Sequence, residues 1–214
     1  HYIICLVRTE APSKNRHAGF SQIIVDLKND GAKVRPISNM AGGEDFNEVV
    51  FEDVLVPKDR IVGEPGNGWQ QVTSELAYER SGPERFLSAF RVFVEMVRIC
   101  GDKPSPHQAA AIGRLASHFM TLRRMSISVA GMLEQGKDVG VEAALVKELG
   151  NNFEKVLPEV ARLVVPDLSQ LDPAKHKLFR DTFEETLLLS PSFTLRGGTR
   201  EILRGVIARG LGLR

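Results

Sequence analysis

The segment at residues 74–85, SELAYERSGPER, holds a carboxylate where an apolar side chain is expected. On a helical reading Val72, Leu76, Glu79, Pro83, Phe86 and Phe90 fall near one stripe, because side chains three or four positions apart share a face. Glu79 interrupts that stripe. A buried carboxylate is costly unless paired or hydrogen-bonded, which leaves three readings: a partner such as Arg80 or Arg85 satisfies it, it tilts to the rim, or it is kept as a general base. Glu84 offers a second Glu-Arg pair just after Pro83.

Other residues that could carry chemistry form weaker patterns. GEPGNG at Gly63–Gly68 fits neither a dinucleotide fingerprint nor a P-loop, and reads as a strand-to-helix loop. His1, His17, His107, His118 and His176 are scattered without ligand spacing, so no metal is expected. There is no G-x-S-x-G elbow. Cys5 and Cys100 lie far apart and are expected to be reduced core thiols. Near the end, Thr199 follows Gly197-Gly198 and is expected to cap a last helix, EILRGVIARGL, with its hydroxyl. Ile202, Val206 and Ile207 would form that helix's apolar stripe, and the two glycines would let backbone N–H groups approach a ligand oxygen. Glu142, Lys147 and Glu148 in VEAALVKELG, like Arg123-Arg124, read as solvated helix faces.

The elements that must position these residues follow from periodicity. The chain of 214 residues is 43% hydrophobic and 26% charged, which suits a globular protein of one large domain or two small ones. Its 28 basic against 27 acidic residues give a net charge of +1, so no global field favours nucleic acid or an anionic membrane. HYIICLV is too short for a membrane span and lacks a basic leader, and a first residue other than Met suggests a chain entered in mid-fold. Up to about residue 60, YIICLVRT, FSQIIVDL, AKVRPI and NEVVFEDVLV read as strands of a mostly antiparallel sheet, separated by turn-forming residues. From about Trp69 the apolar spacing becomes helical, and breakers near 100–106, 134–140, 164–173 and 189–198 divide the rest into about five helices. The fold class expected is α+β: an antiparallel β-sheet segment followed by an all-α helical bundle, with the division at residues 62 and 63.

Two separated stretches carry a family resemblance. NEVVFEDVLVPKDRIVGEPGNGWQQVTSELAYER resembles the junction of the acyl-CoA dehydrogenases, where the middle β-domain passes through V-P and a glycine loop ending in an aromatic into the first helix of the C-terminal domain. LRGGTREILRGVIARGLGLR resembles that family's final motif, a [GE]-G-T-x-x-I loop before a short Arg-containing helix. Most of the family carries its catalytic glutamate in a terminal E-G-T, whose place here is Gly197. Isovaleryl- and long-chain-type members instead carry G-G-T or A-G-T, and take the base from an E-R pair early in the first C-terminal helix. Counting from Trp69, that pair falls on Glu79-Arg80, so the resemblance implies Glu79 as the base. It further implies that Tyr78, Arg80 and Gly198 contact the substrate and that Thr199 and Glu201 lie beside the flavin of FAD.

The activity implied is α,β-dehydrogenation of an acyl-CoA thioester, with electrons passed to an electron-transfer flavoprotein, in a cytoplasmic homodimer or homotetramer or with a partner subunit. A base for that step belongs in a dry pocket, where burial raises a carboxyl's proton affinity. Two departures stand against this. The R-x-x-F-G stretch and the Q-x-x-G-G-x-G adenosine loop are replaced by RICGDKPSPHQ and RLVVPDLSQLDPAKHKLF. The family's N-terminal helical domain and a flavin-contacting segment would precede His1. The alternative implied is a flavin-free binding or assembly subunit.

Overall fold

The computed structural model describes residues 1–213 and divides into two compact units, residues 1–75 and the chain from Leu76 onward. In the first unit, β1 (Tyr2–Arg8) pairs antiparallel with β2 (Phe20–Asp26), Tyr2 opposite Asp26 and Arg8 opposite Phe20. β3 (Ala32–Ile37) and β4 (Phe46–Phe51) form a separate antiparallel hairpin. A two-residue strand, β5 (Ile61–Val62), adds to the other edge of β2.

The four expected strands are present, but the fourth ends early. Asp53 adopts φ 51°, a left-handed conformation that a short polar side chain tolerates and an extended strand does not, so Val54–Val56 fall outside it. β5 was not expected, because two residues cannot display a period. The GEPGNG loop is a close backbone approach: a Cβ on Gly68 would lie 2.7 Å from the Ser21 carbonyl carbon, and the Gly66 N–H donates to Ser21 Oγ at 2.9 Å.

Helices follow as α1 (Gly68–Ser81), α2 (Glu84–Leu87), α3 (Phe90–Cys100), α4 (Pro106–Glu134), α5 (Gly140–Val164), α6 (Lys177–Leu189) and α7 (Arg200–Gly210). The unit boundary falls inside α1. The expected breakers separate α3 to α7, but the first helix is three pieces rather than one. Pro83 supplies no N–H for the ladder and disfavours helical backbone at Gly82, so α1 stops at Ser81 and the stripe drawn through Pro83 is interrupted. α4 has the best-defined start: Ser105 and Gln108 form a reciprocal capping box, with Pro106 in the first turn.

In the second unit one core joins Phe86 and Ala89 to Val92 and Met96 of α3, Leu115 and Leu122 of α4, Phe153 and Leu157 of α5, and Phe179 and Phe183 of α6. A smaller one gathers Val129, Val139, Ala143 and Val146. Cys5 and Cys100 are free and half-buried rather than core residues, although Cys100 packs against the larger cluster, and burial pushes both thiols up. α7 docks through Leu203, which is fully buried, with the expected Val206 and Ile207 half-buried, whereas Ile202 is 57% exposed and falls outside the stripe. Lys147 and Glu148, expected in solvent, are buried. Among the described residues no helix is long and apolar enough to cross a membrane.

Candidate active site

Glu79 lies near the end of α1, where the chain turns through Gly82-Pro83 into α2 and brings Arg85 back beneath it. The Arg85 guanidinium donates from Nε to the Glu79 backbone oxygen at 2.6 Å and from Nη2 to Glu79 Oε1 at 2.8 Å. Arg85 is nearly inaccessible, whereas 37% of the Glu79 side chain reaches solvent. Glu79 is therefore a rim carboxylate with a buried cation under it, not one sealed in a dry pocket. The short turn explains the geometry, since six residues separate the pair and Pro83 forbids the continuous helix that would set them on different faces.

The terminal loop arrives at the same place across 117 residues of sequence. Arg80 Nε donates to the Gly197 carbonyl at 2.8 Å. Gly197 has φ 68°, a conformation suited to glycine, and a Cβ built on it would fall 2.8 Å from Glu79 Oε2. The Glu79 carboxylate thus fills the space that any side chain at position 197 would need. Gly198, at φ 106°, lies against Arg80: a Cβ there would stand 3.4 Å from Nη2. Burial lowers the proton affinity of Arg80, and the Glu79 charge opposes that shift.

Of the residues singled out from sequence, Glu79, Arg80, Gly197 and Gly198 are brought together. Thr199 is the N-cap of α7 with ψ 161°, but its hydroxyl makes no capping hydrogen bond, contrary to expectation. The neighbouring Glu201 carboxylate is exposed and held below the usual carboxylate range, first by its own backbone N–H and then by the Thr199 hydroxyl. Tyr78 is 64% exposed, and its hydroxyl makes no hydrogen bond among the described residues. Glu84, the second candidate carboxylate, is exposed and sits 3.5 Å from the same Arg85 nitrogen.

Sequence reading missed the polar layer beneath this cluster. Lys147 on α5 is fully buried and donates to Asn151 Oδ1 and, at 2.9 Å, to the Phe193 carbonyl. Glu154, also fully buried, accepts from the Ser88 backbone N–H at 2.9 Å and from Arg196 Nη2 at 3.2 Å. Glu148 accepts from Arg200 and Arg204 of α7. The available signal was spacing: Lys147, Asn151 and Glu154 recur at four and three beside Gly150, whose added Cβ would lie 2.3 Å from the Arg85 carbonyl oxygen. A helix approached that closely by backbone cannot have a solvated face there.

Burial, then the charges of Arg85 and Arg196, push the Lys147 ammonium down from about 10.5 to about 8, against the pull of Glu154 and Glu79. Desolvation raises Glu154, with Ser88 and Arg196 opposing it. The stability consequence has a definite sign. Between pH 8 and 10.5 the unfolded lysine keeps a proton that the folded one has released, so folding gains stability as pH rises through that window. We expect chemical denaturation to show this gain in the native chain relative to Lys147→Met. Parallel pH curves for the two proteins would mean that Lys147 titrates normally.

No family model matches the chain. Over 97% of its length it aligns with 52% of "Acyl-CoA dehydrogenase IpdE1" of Mycolicibacterium smegmatis at 30% identity. A probable acyl-CoA dehydrogenase from Mycobacterium abscessus superposes with TM-score 0.82 at 21% identity, covering 99% of this chain and 57% of that one. The ChsE4-ChsE5 complex from Mycobacterium tuberculosis gives TM-score 0.77 at 24% identity, covering all of this chain and 57% of that one. The chain spans about half the length of the curated relatives it matches.

Proposed function

We propose, from the premise that this chain belongs to the acyl-CoA dehydrogenase family, that it is the C-terminal part of an FAD-dependent enzyme that converts an acyl-CoA thioester to the 2,3-enoyl thioester. In this reading residues 1–62 end the middle β-domain and residues 63–214 form the C-terminal helical domain. Glu79 is the base. The observation that carries the assignment is the coincidence at position 197: the family's usual catalytic position holds a glycine, and the Glu79 carboxylate occupies the space above it.

Glu79 Oε2 faces Gly197 while Oε1 is held by Arg85, so one oxygen is oriented and the other is left to receive the substrate's α-proton. Arg80 fixes the Gly197 carbonyl, and the left-handed glycines keep side chains away from the thioester's path. Substrate seated over this rim would exclude the water that now reaches Glu79, which strengthens its charge interactions. Thr199 and Glu201, at the open start of α7, fit a flavin edge, because the threonine oxygen accepts no capping bond and the carboxylate is exposed. FAD, when bound, supplies the acceptor for the hydride leaving the β-carbon.

A second reading, a flavin-free assembly subunit, is favoured by one observation. The segment after α5, where the family places its adenosine loop, is Val165–His176, a non-glycine stretch holding a three-residue 3-10 turn at Leu168–Gln170. In that reading the chain keeps the fold without a flavin site of its own and serves in an assembly of unlike subunits, the kind of assembly that the ChsE4-ChsE5 neighbour's two-component name describes. The test is the visible spectrum of the full-length protein, or of its complex, after incubation with FAD. Retained flavin that bleaches on anaerobic addition of an acyl-CoA, and recolours with electron-transfer flavoprotein, is the expected result. Absence of retained flavin in every assembly would overturn the enzymatic reading in favour of the second.

A further inference from the structure

The loop that bears Gly197 and Gly198 is held by charged donors and acceptors rather than by apolar packing alone. Arg80 grips the Gly197 carbonyl from α1, and Arg196 reaches Glu154 on α5 and Ser88 Oγ at 3.0 Å. Lys147 holds the loop's entry, donating to the Phe193 carbonyl in the short 3-10 turn Ser192–Thr194. Of these cations Lys147 alone is fully buried; 32% of the Arg196 side chain is exposed and Arg80 is half-buried.

An ammonium in that position is costly, and an unbranched apolar side chain of similar length would fill the same volume with less desolvation. What the apolar residue could not do is fix the direction of the Phe193 carbonyl. Neighbouring Asn151 supports the same conclusion: its Oδ1 accepts from Lys147 while its own Nδ2 has no partner among the described residues, so the amide is oriented for the lysine at the expense of its other end.

We propose that Lys147 is a positioning residue for the reaction. By tying Phe193 to α5 it sets where the loop from Leu195 to Thr199 begins, and so keeps the Gly197 carbonyl on Arg80 and the open glycine backbone over Glu79. Lys147 touches no reacting atom in this arrangement. Its effect passes through the loop.

The role in turnover rests on the dehydrogenase reading above, whereas the tether itself does not, and two measurements on the full-length protein or complex separate them. Amide hydrogen exchange of the peptide spanning residues 193–199 is expected to quicken about 10–100-fold in Lys147→Met, the value of one charged hydrogen bond, while peptides within α4 stay protected. In the same variant kcat for an acyl-CoA is expected to fall about 10–100-fold, as misplacement of a catalytic loop does, with KM changed less than about threefold. Unchanged exchange at 193–199 overturns the tether. Quickened exchange with unchanged kcat overturns the positioning role in catalysis. If the native protein turns over no acyl-CoA, the dehydrogenase reading fails and exchange alone decides the tether. Should Lys147→Met not fold, Lys147→Leu, which removes the same donor with a different apolar shape, is expected to quicken the same peptide, and no change there overturns the tether equally.

Discussion

Glu79→Gln should lower the rate of anaerobic flavin bleaching by about 10²–10⁴-fold, the usual contribution of a positioned base. The amide has nearly the shape of the carboxylate and can still accept from Arg85 through its oxygen, so α1, α2 and the approach to Gly197 should be undisturbed. Binding of the acyl-CoA is therefore expected to persist, read as a ligand-induced shift of the flavin band without bleaching. Loss of bleaching with binding intact would assign the base. A Glu79→Gln protein that bleaches at the native rate would remove Glu79 from the chemistry, and Glu84, tied to the same arginine, would become the carboxylate to replace next.

The largest stability effect is expected at Phe86. It is 2% exposed, follows Arg85 directly, and sets its ring edge-on to Phe119 of α4 with centroids 5.7 Å apart. A four-residue helix such as α2 has almost no stability of its own, because nucleating a helical turn is unfavourable and propagation is what repays it. α2 is held by burial of Phe86 and by the close approach of the Arg85 backbone to Gly150. Phe86→Ala should cost about 3–5 kcal/mol, measured as a lowered denaturation midpoint at constant slope. The same substitution should loosen Arg85 and hence Glu79, so residual activity at temperatures where the variant is folded should also fall. A cost below about 1.5 kcal/mol would mean that the site collapses around the cavity and that Gly150 packing alone secures α2.

Lys147 and Pro83 show where sequence reading failed, for different reasons. The proline's effect is local and legible: Pro83 ends the helix and so interrupts the apolar stripe that the spacing alone predicts. The lysine's local signal, its spacing with Asn151 and Glu154, marks a polar face but not whether that face is covered. A charged residue among apolar ones on a helix is usually solvated, and only the approach of α2 and the 193–199 loop makes this one buried.

Sequence by itself determined the order and type of the elements: strands, a glycine loop, then helices separated by Gly, Pro and Asp clusters, with Glu79 as an anomalous carboxylate. These are short-range properties, written in spacings of two and of three to four and in residues that cannot adopt certain backbone angles. Tertiary structure alone decided that Glu79 rests on Arg85, that its carboxylate takes the space over Gly197, and that α5 carries a buried polar layer rather than a solvated face. Those pairings join residues up to 118 positions apart, and periodicity says which face of a helix is apolar but not which chain segment will cover it.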